Sequence, residues 1–200
     1  MDPRTRVAIE AARLIYHGRA KEYIDAKEQA AASLGINTMP SNYEVAVELD
    51  RYAQEVEGSE RYQRLIEMRK AALKTMRLIG KYDPRLTGSV WRGTARESSD
   101  IDIIVFHDDP HEVRDRISTT YRVEDMKTEI FQKDGLPCRS THIRIQVEEY
   151  PLEVVVRPIA EKELEHCEIY GDIKRGINLH ELEKLIISDP LRRFIPRRRI

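Results

Sequence analysis

The sequence predicts an α+β protein in which an N-terminal helical unit is followed by a β-sheet flanked by helices. Three observations lead to this prediction. Apolar residues recur at helical spacing over roughly the first eighty positions. Apolar, β-branched runs follow from residue 101 onward, and turn signals separate them. We therefore expect residues 1–80 to form a helical region and residues 81–200 to form a sheet-containing domain with a basic tail.

Composition excludes several classes of protein. The 200 residues suffice for a buried core, and 34 lysines and arginines nearly balance 35 aspartates and glutamates, so overall charge gives no argument for nucleic-acid binding. Cys138 and Cys167 match no zinc or redox spacing, and His107, His111 and His142 match no metal-ligand spacing. No long apolar run or signal-peptide pattern is present, which predicts a cytoplasmic protein without a membrane segment.

The first predicted helix spans about residues 4–33. Its apolar residues, Val7 and Ala11 among them, recur every three or four positions. Gly18 is a candidate position for a break in this helix, and Gly35 is a stop signal for it.

Two further helices are expected in the N-terminal region. Ser41 and Glu44 have the spacing of a capping box, so Ser41 is expected to begin the second helix, which ends near Gly58. The third helix is expected to begin after Ser59 and to run to Ile79.

The helical region has two interpretations. In one it supports the sheet or forms a dimerisation surface, and its charges are merely solvated. In the other it is a substrate-selecting arm that contacts phosphates, although Glu60 and Glu67 among its basic residues weaken that interpretation. The basic residues in question are Arg61, Arg64, Arg69, Lys70, Lys74 and Arg77.

The most informative stretch of the sequence runs from Thr87 to Phe106. Asp100 and Asp102 open an apolar strand, where alternation places both side chains on one face. Mg²⁺ is usually held by one or two carboxylates together with substrate phosphates. Gly88 and Ser89 form a small-residue turn whose backbone N–H groups and hydroxyl suit a triphosphate. The stretch therefore predicts a metal and phosphate site.

The order of these residues resembles the signature of a known superfamily. Gly88-Ser89, a gap of ten residues and then Asp100-Ile101-Asp102 is similar to the nucleotidyltransferase superfamily, which includes DNA polymerase β, the CCA-adding enzymes and the minimal nucleotidyltransferases. Arg92-Gly93-Thr94 resembles the archaeal CCA-adding branch in particular. The resemblance covers residues 85–158 and implies a nucleotidyltransferase-type mixed sheet. The residues after position 158 are too few for the additional domains with which CCA-adding enzymes handle tRNA.

The superfamily also has a third carboxylate in a later apolar strand, and Glu153 matches it. Residues 141–147 and 152–157 alternate in polarity about a turn at residues 149–151, which predicts a hairpin with Glu153 on one face. An uncompensated carboxylate in such a strand is costly, which favours a bound cation. Glutamate departs from the aspartate that is commoner at this position and is longer by one methylene.

The resemblance implies a reaction and the residues that perform it. We expect transfer of a nucleoside monophosphate from a nucleoside triphosphate to an acceptor, with release of pyrophosphate and with two Mg²⁺ ions, or Mn²⁺ in their place. The acceptor stays open among an RNA 3′ end, a protein hydroxyl and a small molecule, and the four nucleotides are not ranked. The expected catalytic and metal-binding residues are Asp100, Asp102 and Glu153, and the expected nucleotide-binding residues are Gly88, Ser89, Arg92 and Ser99.

Two alternatives from other classes stay open. The first is a catalytically degenerate module that binds nucleotide or RNA without turnover. The second is an antitoxin-like protein that binds and controls a partner, as the minimal nucleotidyltransferases suggest. The oligomeric state is also open, a dimer included, and no membrane partner is expected.

The remaining elements complete the predicted fold. Trp91 is expected either to anchor its loop by packing or to stack on a base. The basic tail, residues 191–200, is expected to be solvated or to dock on the domain or on RNA phosphates.

Predicted strands beside the hairpin cover residues 85–87, 101–106 and 121–131, and predicted helices cover 111–119, 160–168 and 179–188.

Overall fold

The computed structural model of the chain describes residues 1–133, 136–162 and 166–196. Seven helices are present in these residues, together with short 3₁₀ turns at Gly80–Tyr82 and Ile159–Glu161. The helices are α1 (Pro3–Tyr16), α2 (Tyr23–Leu34), α3 (Asn42–Glu57), α4 (Glu60–Leu78), α5 (Gly88–Arg92), α6 (Pro110–Ser118) and α7 (Leu179–Ser188). The strands are β1 (Arg85–Thr87), β2 (Ile101–Phe106), β3 (Val123–Lys133), β4 (Leu136–Val147), β5 (Tyr150–Arg157) and β6 (Ile177–Asn178).

The strands form one six-stranded sheet in the order β3-β4-β5-β2-β1-β6. Strands β2 and β5 run parallel, whereas the other neighbouring pairs run antiparallel. The predicted α+β fold with a mixed sheet and flanking helices is therefore confirmed.

The described residues divide into two compact units. One contains residues 1–61, 166–173 and 196, and its core lies among α1, α2 and α3. The other contains residues 62–162 and 174–195 and carries the whole sheet, packed against α4, α5, α6 and α7. Each unit thus has an apolar core of its own.

The helix predicted over residues 4–33 is two helices, with the break at Gly18, where the sequence left an interruption open. α1 ends at Tyr16, the chain turns through Gly18 with a positive φ of 67°, and α2 begins at Tyr23. Gly35 caps α2 in the left-handed conformation, as expected from its stop signal.

The capping box at Ser41 is confirmed. The Glu44 backbone N–H donates to Ser41 Oγ (3.2 Å), and the Ser41 N–H donates back to Glu44 Oε2 (2.7 Å). α3 ends at Glu57 before Gly58, and α4 follows over the residues expected for the third helix.

The helix predicted over residues 160–168 is wrong for the part that the structure describes. Ile159–Glu161 is a tight 3₁₀ turn, in which the Glu161 N–H donates to the Pro158 carbonyl three residues back. Cys167 pairs instead with Asp172 through its backbone N–H, which closes a loop. Residues 163–165 lie outside the described residues. The predicted helix over 179–188 is confirmed as α7.

No helix in the described ranges is both long and apolar enough to cross a membrane.

Candidate active site

Four polar residues lie side by side across four neighbouring strands. Thr87 on β1 pairs in register with Asp102 on β2. Asp102 pairs in turn with Glu153 on β5, and Glu153 pairs with Arg144 on β4. Side chains of register partners project from the same face of a sheet. We call Thr87, Asp102, Glu153 and Arg144 the polar row.

The alternation of β2 orients the polar row. Ile101, Ile103 and Val105 are fully buried on the opposite face, which fixes Asp102 on the face of the polar row. Asp100 precedes the strand by one residue and is exposed. A one-residue slip of β2 would expose three core residues, so apolar burial holds the carboxylate in place.

The carboxylate of Asp102 is in an unfavourable electrostatic environment. Burial, together with the negative charges of Asp100 and Glu153, raises the pKa of Asp102 from 3.8 to about 7. No described residue donates a hydrogen bond to this carboxylate or forms an ion pair with it. A half-buried carboxylate without a protein cation is the arrangement that a divalent ion stabilises.

Gly88 packs directly against Asp102. Its φ is +65°, and a Cβ atom built on it would lie 1.9 Å from Asp102 Oδ2. A glycine is therefore required here on two grounds, because side chains rarely adopt this backbone conformation and because no space exists for one. The predicted Gly88-Ser89 turn is the start of the short helix α5, and Ser89 is half-buried next to it.

Glu153 is held by two residues of β4. His142 Nδ1 lies 2.9 Å from Glu153 Oε2, and Arg144 Nε donates to Glu153 Oε1 at 3.0 Å. His142 Nε2 lies in turn 2.9 Å from Ser140 Oγ. Both oxygens of the third predicted acid thus already have partners in the protein.

His142 and Arg144 were not identified as site residues from the sequence. The register of the β4-β5 hairpin would have identified Arg144, because pairing of Val147 with Tyr150 places Arg144 opposite Glu153. The observed loop is Glu148 and Glu149, with Glu148 at a positive φ of 57°, rather than the expected turn at residues 149–151.

The carboxylates fit a divalent cation in part. Within the described ranges, no three His, Cys, Asp or Glu side chains are placed as a complete metal cage. Asp102 nevertheless lies next to Gly88, and Asp100 precedes it by two residues, so two carboxylates are available as hard oxygen donors. Mg²⁺ needs no more than one or two carboxylates when substrate phosphates complete its coordination.

The structure ties Arg92 to the C-terminal segment. Its Nη1 donates to the Phe194 carbonyl (2.9 Å), and the Phe194 N–H donates to the Arg92 carbonyl (3.0 Å). Its guanidinium lies 4.2 Å from the centroid of the Trp91 ring, which stacks on Phe194 at 6.2 Å. Trp91 is buried, so it packs its loop against the C-terminal segment, the first of its two interpretations.

Ser99 lies in the loop just before Asp100 and is buried. Its Oγ accepts a hydrogen bond from the Arg96 N–H (3.0 Å), and its own N–H donates to the Arg96 carbonyl (2.9 Å). The Ser99 hydroxyl thus stabilises the turn of the chain at residues 96–99, directly before Asp100.

Several basic residues of α4 are bound within their own unit rather than presented to phosphates. Arg69 is fully buried and donates to the carbonyls of Val90, Trp91, Pro190 and Arg192. Lys74 pairs with Glu148, and Arg77 pairs with Glu183. These contacts favour the supporting role of the helix over the phosphate-binding arm.

One comparison with known protein families matches most of the sheet-containing unit of the chain. The sequence profile of the nucleotidyltransferase domain matches residues 65–175, more than half of the chain. The chain matches no curated protein significantly.

Solved structures match about half of the chain. They include a cytoplasmic RNA terminal U-transferase, at 16% identity and a TM-score of 0.30 over 54% of this chain and 34% of that one. They also include the Cid1 poly(U) polymerase with MgGTP bound, at 16% identity, a TM-score of 0.32 and coverage of 55% and 38%. Cid1 in complex with the UTP analog UMPNPP matches at 17% identity, a TM-score of 0.33 and coverage of 55% and 36%. The chain thus spans little more than a third of the length of these structures.

Proposed function

Because the chain belongs to the nucleotidyltransferase domain family, we propose that it transfers a nucleoside monophosphate from a nucleoside triphosphate to an acceptor hydroxyl and releases pyrophosphate. The observation that carries this proposal is the polar row, in which Asp102 and Glu153 are neighbours and Gly88 packs against Asp102. Two acids and a turn suited to phosphate therefore lie within one short stretch of the sheet.

The triphosphate binds at the Gly88-Ser89 turn. The backbone N–H groups of the turn suit phosphate oxygens, and Ser89 provides a hydroxyl. The proximity of Gly88 to the Asp102 carboxylate would bring these phosphates beside the acids. Ser99 and Arg92 contribute indirectly, because their contacts shape the loops on either side of the site.

Asp100 and Asp102 would hold divalent cations, Mg²⁺ or Mn²⁺, together with the phosphates of the nucleotide. When bound there, the cations would neutralise charge on the triphosphate and lower the pKa of the attacking hydroxyl. Asp102 must be deprotonated to bind a cation, and its pKa of about 7 means that cation and proton compete for it.

Glu153 is the proposed proton acceptor. Its carboxylate is oriented by His142 and Arg144 and lies next to Asp102 in the polar row. In the reaction the acceptor oxygen forms a bond to the α-phosphorus, its proton passes to Glu153, and the bond from the α-phosphorus to the bridging oxygen breaks. The electron pair of that bond leaves with pyrophosphate.

A transfer assay tests the proposal. The protein is incubated with Mg²⁺ and each of the four nucleoside triphosphates, radiolabelled at the α-phosphate, with total RNA, a cell-protein extract or a small-metabolite mixture as acceptor. We expect label in one fraction, and a loss of at least about a hundredfold in Asp100→Asn and Asp102→Asn. Asp115→Asn, an exposed carboxylate on α6, is the matched control and should be fully active.

The outcomes separate the alternatives. Label transfer that survives in Asp102→Asn would overturn the assignment of the site. Mg²⁺-dependent nucleotide binding without transfer to any fraction would favour the degenerate binding module instead.

A further inference from the structure

Arg144 stands at one end of the polar row and the triphosphate turn at the other. Thr87, which precedes Gly88, is on β1, and Arg144 is on β4, with β2 and β5 between them. Three strand spacings separate the two ends, which is about 14 Å. Arg144 is the only basic residue of the row.

In-line displacement assigns the two ends to different substrates, an argument that rests on the proposed function. The attacking oxygen and the leaving oxygen lie on opposite sides of the phosphorus. With pyrophosphate held at Gly88-Ser89 and the metal-binding acids in the middle of the row, the acceptor must approach from the side of Glu153 and Arg144. Arg144 therefore lies at the acceptor end.

The side chain of Arg144 is disposed to bind a further anion. Nε donates to Glu153, and the two terminal amino groups donate to no other residue within the described ranges. The side chain is 61% exposed although it contacts a site acid. A guanidinium with free amino groups suits bidentate contact with phosphate.

The charges around the acceptor end also point to an anionic acceptor. Asp100, Asp102 and Glu153 would repel a phosphate that approached them alone. The positive charge of Arg144 contacts Glu153 and also interacts with the charges of Asp100 and Asp125, so it offsets that repulsion.

We propose that Arg144 binds a phosphate of the acceptor, next to the hydroxyl that attacks the nucleotide. The acceptor is then a phosphate-bearing molecule. Both the 3′ end of a polynucleotide and a free nucleoside monophosphate have this chemistry, and the experiment distinguishes these two sources.

Equilibrium binding provides the test and does not depend on turnover. A fluorescent oligoribonucleotide with a free 3′ hydroxyl is titrated with the protein in the absence of nucleoside triphosphate, and an unlabelled nucleoside monophosphate then competes for the site. Arg144→Gln should weaken binding of the true acceptor about tenfold, as expected for the loss of a charge-assisted contact. Arg144→Lys, which keeps the charge but loses the bidentate geometry, should bind with intermediate affinity.

Arg77→Gln is the matched control. Arg77 is 60% exposed and pairs with Glu183 on α7, so its replacement removes the same charge away from the polar row. Arg77→Gln should bind the oligonucleotide and the monophosphate with the same affinity as the wild type. A neutral nucleoside carries no phosphate, so Arg144→Gln and the wild type should bind it with the same affinity.

Steady-state kinetics separate acceptor binding from a purely structural role. Arg144→Gln should raise the KM for the acceptor about tenfold and leave the KM for the nucleotide unchanged. It should also lower kcat, because the contact that orients Glu153 is lost. A lower kcat with an unchanged acceptor KM would show that Arg144 only positions Glu153 and would overturn the proposal. Unchanged oligonucleotide and monophosphate binding in Arg144→Gln would overturn it too. If the wild type binds acceptor through Arg144 but transfers no label, the proposed function fails while this inference stands.

Discussion

Gly88 and Asp102 are packed so closely that no side chain fits between them. A Cβ atom on Gly88 would lie 1.9 Å from Asp102 Oδ2 and 2.9 Å from Asp102 Cγ. The backbone that is expected to hold the triphosphate is thus in direct contact with the carboxylate that is expected to hold a metal ion. A change at either residue must affect the other.

Gly88→Ala should abolish transfer while the protein remains folded. The methyl group would displace the Asp102 carboxylate, so we expect kcat/KM for the nucleotide to fall at least about a hundredfold. Strain at the positive φ should lower the free energy of unfolding by about 1–2 kcal/mol. Steady-state kinetics and thermal unfolding measure the two effects.

Gly35→Ala is the control for this prediction. Gly35 also has a positive φ, 64°, but nothing lies within 4 Å of a Cβ atom built on it. It should show a similar loss of stability with normal activity. Equal activity in both variants would mean that contact between Gly88 and Asp102 is irrelevant to the reaction.

The stability of the metal-free protein should fall as pH rises toward 7. Folded Asp102 keeps its proton up to about pH 7, whereas an unfolded aspartate with a pKa of 3.8 has already lost it. Between these values the folded state binds more protons, so the free energy of unfolding decreases with rising pH.

Asp102→Asn removes this pH dependence and should stabilise the metal-free protein. At about pH 8 the variant should exceed the wild type by on the order of 4 kcal/mol, and the difference should vanish near pH 4. Mg²⁺ should stabilise the wild type but not the variant. Denaturant unfolding with and without Mg²⁺ checks both points, and an identical pH profile in the two proteins would refute the raised pKa of Asp102.

The sequence alone indicates the positions of the three predicted acids along their strands, whereas it does not indicate which residues lie beside them. Asp102 lies in a strand whose alternation is visible in the residues themselves, Asp100 lies just before that strand, and Glu153 lies within the alternating strand β5. Both patterns are local. The parallel pairing of β2 with β5 is not local, and it alone makes Asp102 and Glu153 neighbours.

Long-range contacts account for what the sequence did not reveal. Arg92 is predicted to contact the nucleotide, and the sequence does not show that Phe194, 102 residues away, is one of its hydrogen-bond partners. Arg69 is one of the basic residues that the phosphate-binding interpretation of the helical region relies on, yet it is fully buried against carbonyls of two distant segments. In both residues the side-chain type suited solvent or phosphate, and tertiary packing determined the contact that forms.

Arg69→Met should destabilise the protein strongly. Burial lowers the pKa of Arg69 to about 10, so it stays charged at neutral pH, and its guanidinium satisfies four backbone carbonyls. Loss of these donors should lower the free energy of unfolding by about 4 kcal/mol.

Arg77→Met is the comparison for Arg69→Met, since it breaks an exposed ion pair on the same helix. It should cost less than about 1 kcal/mol. Urea unfolding of both variants measures the difference. Similar values for the two variants would argue against a buried network at Arg69.

His142→Ala should slow the reaction without weakening nucleotide binding. His142 contacts the Glu153 carboxylate but none of the residues proposed to bind the triphosphate. Loss of a residue that orients a catalytic acid should lower kcat about tenfold or more, with KM for the nucleotide unchanged. A raised nucleotide KM with normal kcat would place His142 at the nucleotide instead.

The position of the broken bond tests the central claim most directly. The protein is incubated with Mg²⁺, acceptor and one nucleoside triphosphate, labelled in parallel reactions at the α- or the γ-phosphate. The proposed chemistry predicts that the α-label moves to the acceptor and that the γ-label appears in pyrophosphate. Neither product should form with Asp102→Asn. Release of γ-label as orthophosphate, or its transfer to the acceptor, would mean that the polar row performs a different phosphoryl-transfer reaction.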